Sequence, residues 1–331
     1  MRQLLQTLTS LATDTAFATF QNELAHCGYA ALGQGYVASD NEVALVTRLV
    51  NALTQKGHGP IRLSAKKIHG SRSYVEFNYM DKPVTKELGD MAILTVATRG
   101  RQRLFQRLCI IQNKKQSSGG WAVDLEQLYL LKNFPTFTGN KGMFKNCGDL
   151  VFRNTTGCLG AFGLLQPPGE MIMASAPLVT ECLRGKNTLA PSDLSFPGDH
   201  QRDLAAPFAG WAFPGLLRHF HPKDFMFLLE ELWHDSGLPL GLTTGQGMPF
   251  LGNLVFMRDM HDFIRGWTQL NLGEVTFAFG ETTNPHVEAF ANFLARSAGF
   301  NEMFDIPADD LFASAEFDNE MGIFLMHLNV E

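Results

Sequence analysis

Asp90 and Gln112 stand eleven residues to either side of Arg101, and the chain between them is two apolar runs around a charged turn. This symmetry constrains the fold more than any other feature. Met91–Thr98 and Leu104–Gln112 read as strands, joined by Arg99-Gly100-Arg101-Gln102-Arg103. In an antiparallel hairpin, positions equidistant from the turn face one another. Asp90 and Gln112 are therefore expected side by side. Lys114, two residues beyond Gln112, leaves the strand on the same face. A carboxylate, an amide oxygen and an ammonium then converge at one end of a sheet. Leu108–Ile111 leads straight into them, and a charge placed there is costly without a partner.

Such a trio suits metal-assisted phosphodiester hydrolysis. Mg²⁺ takes oxygen ligands and keeps several waters, so Asp90 and Gln112 Oε1 could each supply one ligand. Lys114 can orient the attacking water or stabilise charge in the transition state. Glu42, in the first turn of a preceding helix, is the first candidate for a further acid, and Glu87 the second. The plainer readings are a helix N-terminal acid stabilised by the dipole at Glu42, a surface charge at Glu87, and a hairpin with solvated ends.

Residues 1–27 carry Leu4, Leu5, Leu8, Leu11, Ala16 and Phe20 at helical spacing and read as one helix. Gly28–Ser39 reads as a loop. Ser39 or Asp40 is expected to cap a helix running to about Gln55. Ile61–Ile68 and Tyr74–Tyr79 alternate as strands do, and Asp124–Asn133 reads as a helix closed by Phe134-Pro135. Past Thr138, Leu159–Leu165, Met171–Ala176 and Val275–Phe279 read as strands. Asp224–His234, Leu254–Gly266 and Asn284–Ala298 read as helices, and Gly185–Pro207 as a long loop. The change of texture suggests a boundary near residue 138, unless later strands complete the same sheet.

Composition adds limits. With 45% hydrophobic and 18% charged residues, the chain has the make-up of a soluble globular protein. No apolar run approaches the roughly 20 residues of a membrane span, and Met1–Phe20 lacks a secretory pattern. Five cysteines without a CxxC pair fit reduced thiols and a cytoplasmic setting. Among the ten histidines there is no HExxH spacing; His219 and His221 lie two apart, and His234, His261 and His286 are isolated. Leu242–Gly247 lacks the Lys of a phosphate-binding loop, and no G-x-S-x-G supports serine hydrolysis. The net charge of −6 hides an asymmetry. Pro60–Lys115 holds twelve Lys/Arg against four Asp/Glu, whereas Thr138–Glu331 holds eleven against twenty-three. A basic segment around the hairpin suits a polyanionic substrate, with Arg99, Arg101, Arg103 and Lys115 as candidate nucleic-acid contacts.

The order of an acid-bearing helix, a strand, an Asp-bearing strand and a strand ending in x-Lys resembles the PD-(D/E)XK nuclease superfamily. Glu42, Asp90 and Gln112-Asn113-Lys114 occupy those places. The chain looks closest to a bacterial subgroup that starts Glu-Leu-Gly/Ala-Asp, has Gln in place of the second acid, and carries a helix followed by an aromatic-Pro-x-Phe element. Here those residues are Gln127, Tyr129 and Phe134-Pro135-Thr136-Phe137. The match covers about 100 of the 331 residues. Its departure is Gln112, which removes a negative charge and weakens the expected metal affinity.

The resemblance implies an α/β fold, a restriction-endonuclease-like mixed sheet flanked by helices, with an α+β C-terminal region. It divides the chain into a nuclease core at 1–138 and an acidic regulatory, recognition or partner-binding domain at 139–331. It implies a Mg²⁺-dependent endonuclease (Mn²⁺ as a substitute) acting on DNA in a bacterial restriction or anti-phage system. The metal ligands would come from Asp90, Gln112, Glu42 and Glu87, and the catalytic set would be Asp90, Gln112, Lys114 and Glu42. The rival is a catalytically weak nucleic-acid or effector-binding subunit on the same fold. RNA as substrate, a protein partner at the C-terminal region and self-association stay open.

Overall fold

The computed structural model describes residues 2–67, 74–141, 148–152, 155, 157–194, 256–282, 284–307 and 321–330. The expected helix at Asp224–His234, the stretch Leu242–Gly247, Cys147, His219, His221 and His234 lie outside these residues.

The N-terminal segment forms two helices where one was expected, α1 (Arg2–Thr13) and α2 (Thr15–Val37). Asp14 divides them, because its carboxylate accepts from Ala16 N at 2.8 Å and so caps a new helix. The loop expected over Gly28–Ser39 is mostly the second half of α2. Its glycines serve close packing rather than turning. A Cβ on Gly28 would lie 2.8 Å from Met260 Sδ, and one on Gly35 would lie 2.4 Å from Leu45 Cδ2. Helix α3 (Glu42–Leu53) is capped by Asn41, which accepts from Ala44 N at 2.9 Å. Neither Ser39 nor Asp40 takes that role.

A short edge hairpin follows, β1 (Lys56–His58) and β2 (Ile61–Lys67). Strands β3 (Tyr74–Tyr79) and β4 (Lys82–Glu87) form a second hairpin, and with β8 (Phe137–Lys141) they build a separate three-stranded sheet. The symmetric hairpin is β5 (Met91–Arg99) and β6 (Gln102–Lys115). Met91 faces Ile111, and pairs symmetric about Arg101 continue to Ala97 and Phe105. A bulge then sets Thr98 opposite Arg103 and Arg99 opposite Gln102.

Beyond them come β7 (Trp121–Ala122), α4 (Leu125–Asn133), β9 (Gly160–Gln166), β10 (Glu170–Ser175), α5 (Ala176–Leu183) and β11 (Thr188–Leu189). The rest comprises β12 (Phe256–Met257), α6 (Met260–Thr268), β13 (Glu274–Ala278), β14 (Glu281–Thr282), α7 (Pro285–Ser297) and β15 (Gly322–Asn329). Where a helix was expected over Leu254–Gly266, the described residues hold a two-residue strand at Phe256–Met257 and a helix from Met260.

The main sheet is mixed and ten-stranded, with the path β1-β2-β15-β5-β6-β9-β10-β12. The C-terminal strand β15 enters its middle, antiparallel to β2 and parallel to β5. On the other side, β6 is long enough to pair antiparallel with β13 along Phe105–Leu108 and parallel with β9 along Ile110–Lys115. The boundary expected near residue 138 thus coincides with no break in the sheet, since strands from both segments alternate within it.

Helices cover both faces. Met91, Ile93 and Ile111 pack with α1, α2, α3 and α6 on one side, and Ala92, Leu94 and Ile110 pack with α4, α5 and α7 on the other. Burial on both faces explains why β5 is a continuous apolar run. Among the described residues, no helix is long and apolar enough to cross a membrane.

Candidate functional site

The end of the sheet where β5 begins and β6 finishes gathers the predicted polar trio. Gly89 makes this possible. A Cβ there would lie 2.9 Å from Ile110 Cγ2 and 3.1 Å from Ile111 O, so glycine lets the chain enter β5 against its neighbour. Asp90 N then donates to Ile111 O at 3.0 Å, and Gly322 N donates to Asp90 O at 2.9 Å. Asp90 is fixed by hairpin pairing on one side and by β15 on the other.

Asp90 and Gln112 meet as the symmetry requires. Gln112 Nε2 donates to Asp90 Oδ2 at 2.5 Å, and Asn113 N donates to the same oxygen at 2.7 Å. Gln112 Oε1 points away from Asp90 and accepts from Gln127 Nε2. Gln127 Nε2 also donates to Glu87 O at 3.1 Å. Asp90, Gln112 and Gln127 are all buried, so the relay running Glu87 O, Gln127, Gln112, Asp90 is shielded from water. Helix α4 supplies Gln127, and Asp124 caps that helix through Glu126 N at 2.9 Å and Gln127 N at 3.1 Å.

Burial pushes the Asp90 carboxyl up to about 7, and the nearby charges of Glu87 and Glu42 add to the push. The Asn113 N–H and the Lys114 ammonium pull the other way. Lys114 is half-buried beside this group. Glu42 approaches from the other face of the sheet, where its Oε1 accepts from Lys115 N at 2.7 Å. Asn113 also faces that side. Its Oδ1 would lie 2.2 Å from a Cβ on Gly163, so this seat exists only beside a glycine.

The site therefore brings together Asp90, Gln112, Lys114 and the carbonyl of Glu87, with Glu42 at the margin. Apart from the Lys114 ammonium, these groups carry hard oxygens of the kind Mg²⁺ takes, although the Gln112 oxygen faces Gln127. Burial, with the charges of Glu87 and Glu42 adding to it, raises the Asp90 carboxyl, a pressure that a nearby cation would relieve. Among the described residues, no three His, Cys, Asp or Glu side chains form a group that could hold a metal ion. The donor set fits a cation held by one or two carboxylates and an amide oxygen with retained waters, provided Gln112 turns that oxygen inward.

The expected nucleic-acid contacts fare differently. The turn at Arg99–Arg103 lies at the far end of the hairpin, with Arg101 eleven residues from Gln112, or about 36 Å along an extended strand. Arg101 is fixed to Asp305 at 2.8 Å and to the carbonyls of Glu302 and Asn301 at 3.0 Å each. The Arg103 side chain is 6% exposed, paired with Glu288, bonded to Gln106 and Asn292, and stacked on Phe277 at 4.0 Å. Lys115 Nζ donates to Asp40 O at 2.6 Å and lies 5.2 Å from the Tyr36 ring centroid. The Arg103 side chain is thus packed inside the protein, and Lys115 is half-buried with its ammonium on the Asp40 carbonyl. Lys86 is likewise taken up, by Asp124 at 2.6 Å and Glu126 at 2.7 Å. Arg99 remains exposed.

No family model, curated protein or solved structure matches the chain.

Proposed function

We propose that this chain is a metal-dependent endonuclease acting on phosphodiester bonds, with DNA as substrate, on a restriction-endonuclease-like fold. The observation that carries the reading is the meeting of Asp90 with Gln112 at 2.5 Å, beside Lys114, at the shared end of two central strands. Strand order supports it as well. Along the chain α3, β2, β5, β6, α4 and β9 occur in that order, with other strands between them; β9 runs parallel to β6, and β15 lies between β2 and β5 in the sheet. The bacterial restriction or anti-phage setting rests on the resemblance of the Glu-Leu-Gly-Asp and Gln-Asn-Lys segments.

A Mg²⁺ ion held by Asp90 and Gln112 Oε1, with Glu42 or Glu87 acting through water and Mn²⁺ as a substitute, would lower the pKa of a bound water and offset charge on the phosphate. Asp90 would bind a cation as the carboxylate, so cation and proton would compete for it. Lys114 presents its ammonium on the Gln112 face, where it orients the attacking water and offsets the charge on the phosphoryl oxygens. Apolar β5 and β6 beneath the trio exclude bulk water from its floor and strengthen these interactions.

A second reading has its own support. Gln112 Oε1 is occupied by Gln127, and Asp90 is pushed toward its neutral form, as expected of a nucleic-acid-binding or effector-binding subunit with little catalytic power. Plasmid cleavage across a Mg²⁺ and Mn²⁺ titration separates the two. The nuclease reading predicts nicking that Asp90→Ala and Lys114→Ala each abolish. DNA binding without nicking at any metal concentration favours the subunit.

A further inference from the structure

We infer that Gln127 gates cation entry at the Asp90–Gln112 site; this rests on the metal-site reading above and assigns its control. The relay has a fixed polarity. The Glu87 carbonyl can only accept, so Gln127 must turn Nε2 toward it, and the same Nε2 then faces Gln112, which presents Oε1 to Gln127 and Nε2 to Asp90. Gln127 Nε2 uses one hydrogen on Glu87 O and the other on Gln112 Oε1. With that oxygen engaged, Gln112 has only its Nε2 to offer Asp90.

A cation needs the opposite orientation. Rotating the Gln112 amide by half a turn sets Oε1 beside Asp90 Oδ2, where Nε2 now stands 2.5 Å away. Two oxygens on adjacent vertices of a Mg²⁺ octahedron lie about 2.9 Å apart, from metal–oxygen distances near 2.05 Å. The rotated pair therefore needs only a small separation to become adjacent ligands of one ion. Without an ion the rotation sets oxygen against oxygen at Asp90 and N–H against N–H at Gln127.

Gln127 cannot relieve its half of that conflict by turning too. Doing so would point its own oxygen at the Glu87 carbonyl, which Glu87 holds at the end of β4. The cation must therefore displace the Gln112–Gln127 bond as it enters. A glutamate at position 112 would meet no such barrier, because both of its carboxylate oxygens accept. The pairing of Gln112 with a helix glutamine makes a site in which cation binding is weakened by the cost of breaking the Gln112–Gln127 bond.

Mn²⁺ binding to the full-length protein, read by the electron paramagnetic resonance of the unbound ion, tests this directly. Gln127→Met keeps the volume and removes the donor, so it should bind Mn²⁺ about tenfold more tightly than the wild type, equivalent to about 1.4 kcal/mol. Gln127→Asn keeps an amide too short to reach Gln112 and carries the same expectation should the Met variant not fold. In a Gln112→Glu background, replacing Gln127 should leave affinity unchanged. Equal or weaker binding in the folded Gln127 variants, with wild-type binding that Asp90→Ala removes, overturns the gate and leaves the metal site standing. Absence of Mn²⁺ binding in every variant, Gln112→Glu included, overturns both.

Discussion

Arg103 gives the sharpest contrast between a surface charge and a structural one, and its partner Glu288 offers the test. Their side chains are 6% and 11% exposed, so the ion pair lies within the protein between β6 and α7. Asn292 accepts from the same guanidinium at 2.8 Å, and the Phe277 ring lies 4.0 Å beneath it. Burial lowers the Arg103 pKa, and the Glu288 carboxylate holds the cation in its charged form against that pressure. Removing one partner of such a pair leaves a buried charge uncompensated and costs about 3–5 kcal/mol. Replacing both by apolar residues of similar size is often neutral. Glu288→Ala should therefore lower the unfolding free energy by about 3–5 kcal/mol, while the double change Arg103→Met with Glu288→Leu should come within about 1 kcal/mol of wild type. Urea unfolding measures both, with an unchanged m-value securing the comparison. A loss below about 1 kcal/mol for Glu288→Ala is the value for an exposed pair. That result would refute the burial argument and return Arg103 to the list of phosphate contacts.

Two further outcomes follow from the packing. Gly160→Ala places a Cβ 2.1 Å from Leu131 O, which is backbone of α4 and cannot swing aside; it should cost about 1–3 kcal/mol and, by displacing the helix that carries Gln127, perturb Mn²⁺ binding as well. His327, bonded to Thr98 Oγ1 at 2.9 Å, has its pKa lowered from 6.5 by burial and by the charge of Arg62. The unfolded chain thus binds the proton more readily. This contribution is fully present above about pH 6.5 and is lost as pH falls through the lowered value. His327→Gln should flatten the dependence of unfolding free energy on pH in that interval, and an unchanged slope would contradict the assignment.

What could be read from the sequence was local and arithmetic. Antiparallel pairing ties residues by their distance from a turn, so the Asp90–Gln112 meeting followed from counting, and the bulge after Ala97 preserved the register. The Asn284 and Asp124 helix starts were legible because a side-chain oxygen one step before a helical run is a local signal. Long-range placement was not legible. Nothing in Gly322–Asn329 shows that it inserts between β2 and β5, because a doubly buried strand carries no mark of its neighbours. The glycines of α2 read as a loop because sequence cannot distinguish a glycine that turns from one that admits a close neighbour such as Leu45. The basic hairpin misled for a related reason. The partners that take up Arg101 and Arg103 stand about 200 residues away, at Asp305 and Glu288. Gln127 was legible only through the resemblance, and its bond to Gln112 only in three dimensions.

We propose that Asp90 and Gln112 hold a divalent cation. Crystals of the protein soaked with Mn²⁺ and measured at the manganese absorption edge test it most directly. An anomalous peak is expected within bonding distance of an Asp90 carboxylate oxygen, with the Gln112 amide turned so that Oε1 faces the ion. A peak elsewhere, or none at saturating Mn²⁺ with Gln112 still donating to Asp90, would contradict it.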